Sequence, residues 1–422
     1  MRRPSFGTLL GFGLSAIIVS CSSKSGVDTP SDVTQTPGTG GTDVASTGAG
    51  GDTGTGGGAT TTGGGGTAVT PGGPPVDIGP KPTTACPALA LKENTMVAGY
   101  ATDQFVWRDA LCNERQSAMV SSDRESVGLS YAELLQKADQ SDLLFNISGM
   151  LTDPDLFGRV PCRVYLDLDP GFNQLWHAVQ GIDMRFAGHT HFVTIGQTIG
   201  SLHCPVPTCG LSWIPTWQPV VLAHWPVADA VSHDGLTTVA NWRGYGSIEY
   251  LGVKYGQKAH SWRSFLDLPR RTTEKFMPAL AIHEGEEKDL ASLKDNGWHL
   301  LNPSQVAGTP RQYQQFIRGS RAEFSIAKSG YVAARCGWFS DRSICYLASG
   351  RPAIVQETGI GKLLPTGCGF FSFTTHDDVL TAIEALRSDY ARHCRAARTL
   401  AEDYFDSDKV LKRLLERLGG TS

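Results

Sequence analysis

From about Met96 onward, short apolar runs alternate with stretches of helical spacing, and this alternation restricts the chain to α/β units. Leu143–Ile147, Arg163–Leu166 and His191–Ile195 read as buried parallel strands, and Ser130 to Asp139 as a helix with Leu134, Leu135 and Ala138 on one face. A crossing rich in Pro and Trp follows, Trp213 to Val220, with a domain boundary expected near Pro226. The second half repeats the pattern. Its expected strands are Thr237–Trp242, Ala279–His283, His299–Asn302, Phe316–Gly319, Ala353–Gln356 and Gly369–Phe373. Two helices close it. One starts at Thr375 with Val379, Ile383 and Leu386 inward, and one at Ser407–Asp408 with Leu411, Leu414, Leu415 and Leu418 as its apolar face.

The N-terminal part has another character. Arg2 and Arg3 precede a short apolar stretch, Phe6 to Val19, which is too short to span a bilayer. It ends in Ile18, Val19, Ser20 and Cys21, which resembles the lipobox of bacterial lipoproteins, so residues 1–21 are expected to be a signal and Cys21 the lipidated residue. No Phe, Trp or Tyr lies between Phe12 and Tyr100, and no Lys or Arg between Lys24 and Lys81. Such a segment buries too little apolar surface to offset its ordering entropy. Residues 22–85 are therefore expected to be a disordered tether with an r.m.s. span of about 40–45 Å. This places the body in the cell envelope, lipid-anchored, with the outer membrane favoured by Ser22; a start elsewhere in the chain would make it cytoplasmic. The formal net charge of -4 gives no basic field for nucleic acid.

The chemistry concentrates between Gly337 and Gly359. Ser340 caps an expected helix through Ser349, which frees first-turn N–H groups, and Gly350 and Pro352 end it. Ala353–Gln356 is then a buried strand with the loop Glu357, Thr358 and Gly359 at its carboxyl end. Helix N-termini bind anions, and open α/β sheets bind ligands at the carboxyl ends of their strands. Arg342 offers a cation to a pyrophosphate. Asp167 and Asp169 end a strand of the first half and are candidates for a base or an acceptor contact, or ordinary turn formers before Pro170 and Gly171. Asp341 at a helix start complements the macrodipole. His189, His191, His203, Cys204 and Cys209 match no closed zinc spacing, so no metal is expected. Cys204 and Cys209 could close a small loop. Arg270, Arg271, Lys254 and Lys258 read as solvated surface. The motifs of serine hydrolases, P-loop NTPases, zincins and dinucleotide-binding enzymes do not occur.

Glu323–Lys328, Gly337–Pro352, Gln356–Gly359, Leu364–Gly369 and Ala396–Phe405 together resemble the C-terminal half of the CgeB-like, spore-maturation-related branch of the glycosyltransferases. Phe145–Gly149, Tyr165–Pro170 and Trp213–Val220 are similar to its first half. The resemblance implies an α/β, GT-B architecture of two facing Rossmann-like domains with parallel sheets, here 86–226 on the acceptor side and 227–422 on the donor side. It implies a nucleotide sugar as donor substrate, an unknown acceptor and no cofactor. Carried over by position, Arg342, Ser343, Thr358 and Gly359 face the diphosphate and ribose, beside Ser340, and Trp338 lines the base or sugar pocket. The glutamate pair of many retaining relatives falls on Gly337 and Cys345. Two readings stand at this stage: a glycosyltransferase, or a non-catalytic surface lipoprotein of the same fold that binds a glycan or partner.

Overall fold

The computed structural model describes residues 89–90, 95–101, 104–107, 118–120, 124 and 126–421. The expected signal, the tether 22–85, and Cys21, Cys86 and Cys112 lie outside the described residues. All described residues belong to one compact unit.

The first half is built on an eight-stranded sheet. Its strands are β1 (Thr95–Ala101), β2 (Gln104–Trp107), β3 (Ala118–Val120), β4 (Ser126–Gly128), β5 (Leu143–Ile147), β6 (Cys162–Asp167), β7 (His191–Thr194) and β8 (Trp213–Pro215). The order is β4-β3-β2-β1-β5-β6-β7-β8. Pairing is parallel from β1 to β8 and antiparallel from β1 to β4. Helix α1 (Tyr131–Asp139) starts where Ser130 and Glu133 form a capping box, and it buries Leu134 and Ala138.

The second half carries β9 (His233–Asn241), the hairpin β10 (Ile248–Tyr250) and β11 (Val253–Tyr255), β12 (Phe276–Ala281), β13 (Ser320–Ser325), β14 (Ala353–Gln356) and β15 (Phe370–Phe373). Its all-parallel sheet runs β12-β9-β13-β14-β15. Leu301 bridges in parallel to Ala279 beyond β12. Counted in chain order the five strands read 2-1-3-4-5, a doubly wound order with its topological switch between β9 and β13. Side chains alternate across it: Ala353 and Val355 enter one core, Ile354 the other.

Helices α2 (Phe172–Gln180), α3 (Lys258–Arg263), α4 (Glu287–Asp295), α5 (Pro310–Gly319), α6 (Ser329–Ala334), α7 (Asp341–Ala348), α8 (His376–Ser388), α9 (Tyr390–Leu400) and α10 (Ser407–Arg417) complete the layers. Two expectations are corrected. Phe316–Gly319 is the last turn of α5, because Thr309 caps it, Pro310 opens it, and Tyr313, Phe316 and Ile317 share its buried face; the strand starts at Ser320. Helix α10 belongs by packing to the first half. Leu411, Leu414, Leu415 and Leu418 lie against Leu143, Phe145, Cys162, Val164 and Val193. Where the chain returns, it is joined to the outgoing crossing: the Val220 N–H donates to the Phe405 carbonyl at 2.8 Å, and the Ser407 N–H donates to the Val220 carbonyl at 3.0 Å.

Candidate active site

The carboxyl ends of the two sheets meet. Strand β6 ends at Asp167, which has no exposed surface. Its carboxylate accepts from Asn173 Nδ2 at 2.6 Å, Gln174 Nε2 at 2.9 Å, Thr194 Oγ1 at 2.8 Å and the Asp169 N–H at 3.0 Å. Asp167 thus ties β6, β7 and the start of α2 together and is sealed from any acceptor in this structure. Burial pushes its carboxyl up to about 6, against the pull of these donors. Because the folded value lies above the ordinary 3.8, the stabilisation it gives is complete below about pH 4 and lost as pH rises through about 6. Asp167→Asn is therefore expected to remove a stability difference on the order of 3 kcal/mol between those limits. Unfolding midpoints of the two proteins from pH 4 to 7 should diverge; parallel curves would refute it.

Asp169, two residues on, faces the second half. Its carboxylate accepts from Lys328 Nζ at 3.0 and 3.1 Å and from the hydroxyls of Tyr245 and Tyr331. The Lys328 ammonium also donates to the Tyr245 hydroxyl and lies 4.3 Å from the Tyr245 ring, 5.0 Å from Phe172 and 5.1 Å from Tyr331. Lys328 follows the carboxyl end of β13, and Tyr245 follows that of β9. Both therefore stand at the topological switch, where doubly wound sheets bind ligands.

Lys258 lies beside them. Expected on the surface, it is instead buried at the first turn of α3. Its Nζ donates to the Ile326 carbonyl at 3.0 Å and sits 5.4 Å from the Trp338 ring. Among the described residues no carboxylate forms an ion pair with it. Burial, then the charges of Arg342 and Lys328, hold this amine well below the usual lysine range. Trp338, in turn, stacks on Tyr331 with ring centres 4.5 Å apart.

The donor-side residues expected from sequence do not all face this place. Ser340 caps α7, its Oγ accepting from the Arg342 N–H at 3.3 Å. Arg342 does not present its guanidinium to a ligand and is not partly exposed. Nε donates to Glu323 Oε1 at 2.6 Å, one terminal nitrogen to Ser325 Oγ at 2.7 Å and the other to the Val239 carbonyl at 2.9 Å. A glutamate inside the buried strand β13 requires a buried counter-ion, and Arg342 is it. Ser343 is fully buried beside it, its hydroxyl without a hydrogen-bond partner. Thr358 donates to the Trp338 carbonyl at 2.6 Å, and its own carbonyl accepts from the Gly337 N–H at 2.7 Å. Gly359 has φ +98°, and a Cβ there would stand 2.8 Å from the Arg335 carbonyl. Thr358 and Gly359 thus brace residues 335–338 from behind. From the first half, Thr198 donates through Oγ1 to the Arg335 carbonyl at 2.6 Å and through its N–H to the Cys336 carbonyl at 3.1 Å.

Sequence reasoning missed Tyr245 and Tyr331 and gave Lys328 and Lys258 no role of their own. The available signal was a lysine just past the apolar end of Phe324–Ala327. His189 is a core residue, its ring held by Asn146 and the Phe186 carbonyl, and burial takes it down to about 4. No group of three metal-ligating side chains occurs among the described residues. Cys204 and Cys209 are both buried free thiols, so the small loop is not closed.

No family model matches the chain, and no curated protein matches it. Among solved structures, it is similar to Anabaena Alr3699/HepE in complex with UDP and glucose, at 13% identity, covering 69% of this chain and 81% of that one with a TM-score of 0.41. It is similar to an alpha-glucosyltransferase in complex with UDP-glucose and DNA containing an abasic site, at 11% identity, 68% and 83% coverage and a TM-score of 0.44. A third is the lipopolysaccharide outer core galactosyltransferase WaaB in its apo form, at 14% identity, 68% and 80% coverage and a TM-score of 0.39.

Proposed function

We propose that the chain transfers a glycosyl group from a nucleoside diphosphate sugar to an acceptor, with the diphosphate at the β9/β13 switch. One observation carries the reading: Lys258 is a buried amine with no carboxylate ion-pair partner among the described residues, placed at the carboxyl edge of a doubly wound sheet. An amine so placed is completed by an anionic ligand. Lys328 and the N-terminus of α7 add positive potential on the same edge. Such groups act most strongly on charge that develops on a leaving diphosphate, since they are fixed beforehand in a site of low dielectric. The resemblance of Gly337–Gly359 to glycosyltransferases supports the same reaction class. Arg342 serves it indirectly, by holding the start of α7 against β9 and β13.

We further propose that this chemistry is tethered to the cell envelope through Cys21. The alternative, a glycan-binding lipoprotein without transfer, draws on the engagement of both candidate carboxylates, Asp167 and Asp169, by protein donors. Release of free sugar or nucleotide from a bound donor separates the two readings.

Calorimetric titration of the full chain with uridine, guanosine and thymidine diphosphates tests the site. At least one is expected to bind, and Lys258→Met to weaken it about ten- to a hundredfold, the value of hydrogen bonds to charged groups. The depressed Lys258 amine should regain its proton when the anion arrives. Between the depressed value of the free amine and the ordinary lysine range, binding is then accompanied by proton uptake and weakens as pH rises, levelling off above that range; buffers of different ionisation enthalpy read this directly. Absence of nucleotide binding, or equal affinity in Lys258→Met, would remove the basis of the proposal.

A further inference from the structure

Among the described ion pairs, Lys328–Asp169 is the one that joins a residue before position 226 to a residue after it. Its setting differs from that of Arg342–Glu323. There the side chains are 10% and 0% exposed; in Lys328–Asp169 they are 19% and 23% exposed. A solute can reach this pair. Its two ends are also held differently. The backbone of Lys328 is fixed at the start of α6, whereas its ammonium is a point charge on a flexible four-carbon stem that can re-aim. Asp169 is held from three sides, by Lys328 and two tyrosine hydroxyls, so removal of the ammonium leaves it oriented by Tyr245 and Tyr331.

We propose that Lys328 is a positioning residue whose ammonium is contested between Asp169 and the donor diphosphate. Without donor it holds Asp169. The diphosphate at the switch, with its higher charge, draws the ammonium toward the second half and leaves an Asp169 lone pair for the acceptor hydroxyl. Donor and acceptor then bind in that order, and the residue that senses the donor is the one that had occupied the acceptor-side carboxylate. This inference rests on the donor site proposed above and adds the coupling to it. No bond is made or broken in the exchange.

The competition has a signature that a structural ion pair lacks. If Asp169 and the diphosphate compete for one ammonium, removing Asp169 tightens nucleotide binding. Asp169→Asn is expected to raise the affinity of the full chain for uridine diphosphate, or whichever nucleotide the wild type prefers, about three- to tenfold. Lys328→Met should lower it about tenfold. The double variant should bind like Lys328→Met alone, because the gain from Asp169→Asn requires the lysine. Thermal unfolding of each variant verifies that it is folded, and Asp169→Ser repeats the test if the asparagine variant is not. An affinity that is unchanged or weaker in folded Asp169→Asn overturns the inference while leaving a Lys258-dependent donor site intact. Absence of nucleotide binding by the wild type removes the donor site and the coupling together.

Discussion

Replacement of Arg342 by alanine is expected to cost about 3–5 kcal/mol of stability, the range for breaking a buried ion pair and leaving the other charge behind. Glu323 has no exposed surface and is held by Nε of Arg342 at 2.6 Å. The alanine variant would leave that carboxylate in the centre of β13, with Thr238 Oγ1 at 3.3 Å as its other donor. The same substitution also strips donors from Ser325 and the Val239 carbonyl. One side chain thus staples the start of α7 to β13 and β9, the two strands that flank the switch. At roughly 2–4 °C per kcal/mol, the thermal midpoint should fall on the order of 10 °C. Any loss of nucleotide affinity in this variant should track the loss of folded protein. A midpoint within a degree or two of wild type would show that the pair is dispensable.

The second large effect is expected far along the chain from the sheet it disturbs. Leu414 on α10 is 5% exposed and packs in the core formed by β5, β6 and β7. Leu414→Ala should cost about 2–5 kcal/mol, the transfer energy of the lost side chain plus that of the cavity it leaves. The consequence should appear in the first half. Amide hydrogen exchange of Leu143–Ile147 and Cys162–Asp167 is expected to accelerate while that of Ala353–Gln356 changes less. Equal acceleration in both sheets, or in neither, would contradict the packing.

Much of the second half could be read from residues because local signals and tertiary packing agree there. Ser340, Gly350 and Pro352 bracket α7, the apolar run Ala353–Gln356 is β14, and Thr375 with Asp378 forms the capping box that opens α8. Local signals failed where partners were distant. A cation in a phosphate-binding motif looks the same in sequence whether it meets a ligand or a glutamate nineteen positions earlier, and Arg342 meets Glu323. Lys258 was read as surface because nothing in the run from Lys254 to His260 reveals that the Ile326 carbonyl and Trp338 will close over it. Asp167 and Asp169 stand two residues apart in one turn. What separates them is Asn173, Gln174 and Thr194 around the first, and the second half of the molecule around the other. The antiparallel strands β2 to β4 carry no strong periodic signal and were not anticipated.

The return of α10 to the first sheet also bears on the order in which the molecule can be made. Ribosomes deliver β5, β6 and β7 long before Leu411 to Leu418, so these strands must wait with an uncovered apolar face until the helix that covers it has been synthesised. Folding of the first half is thus tied to the completion of the second.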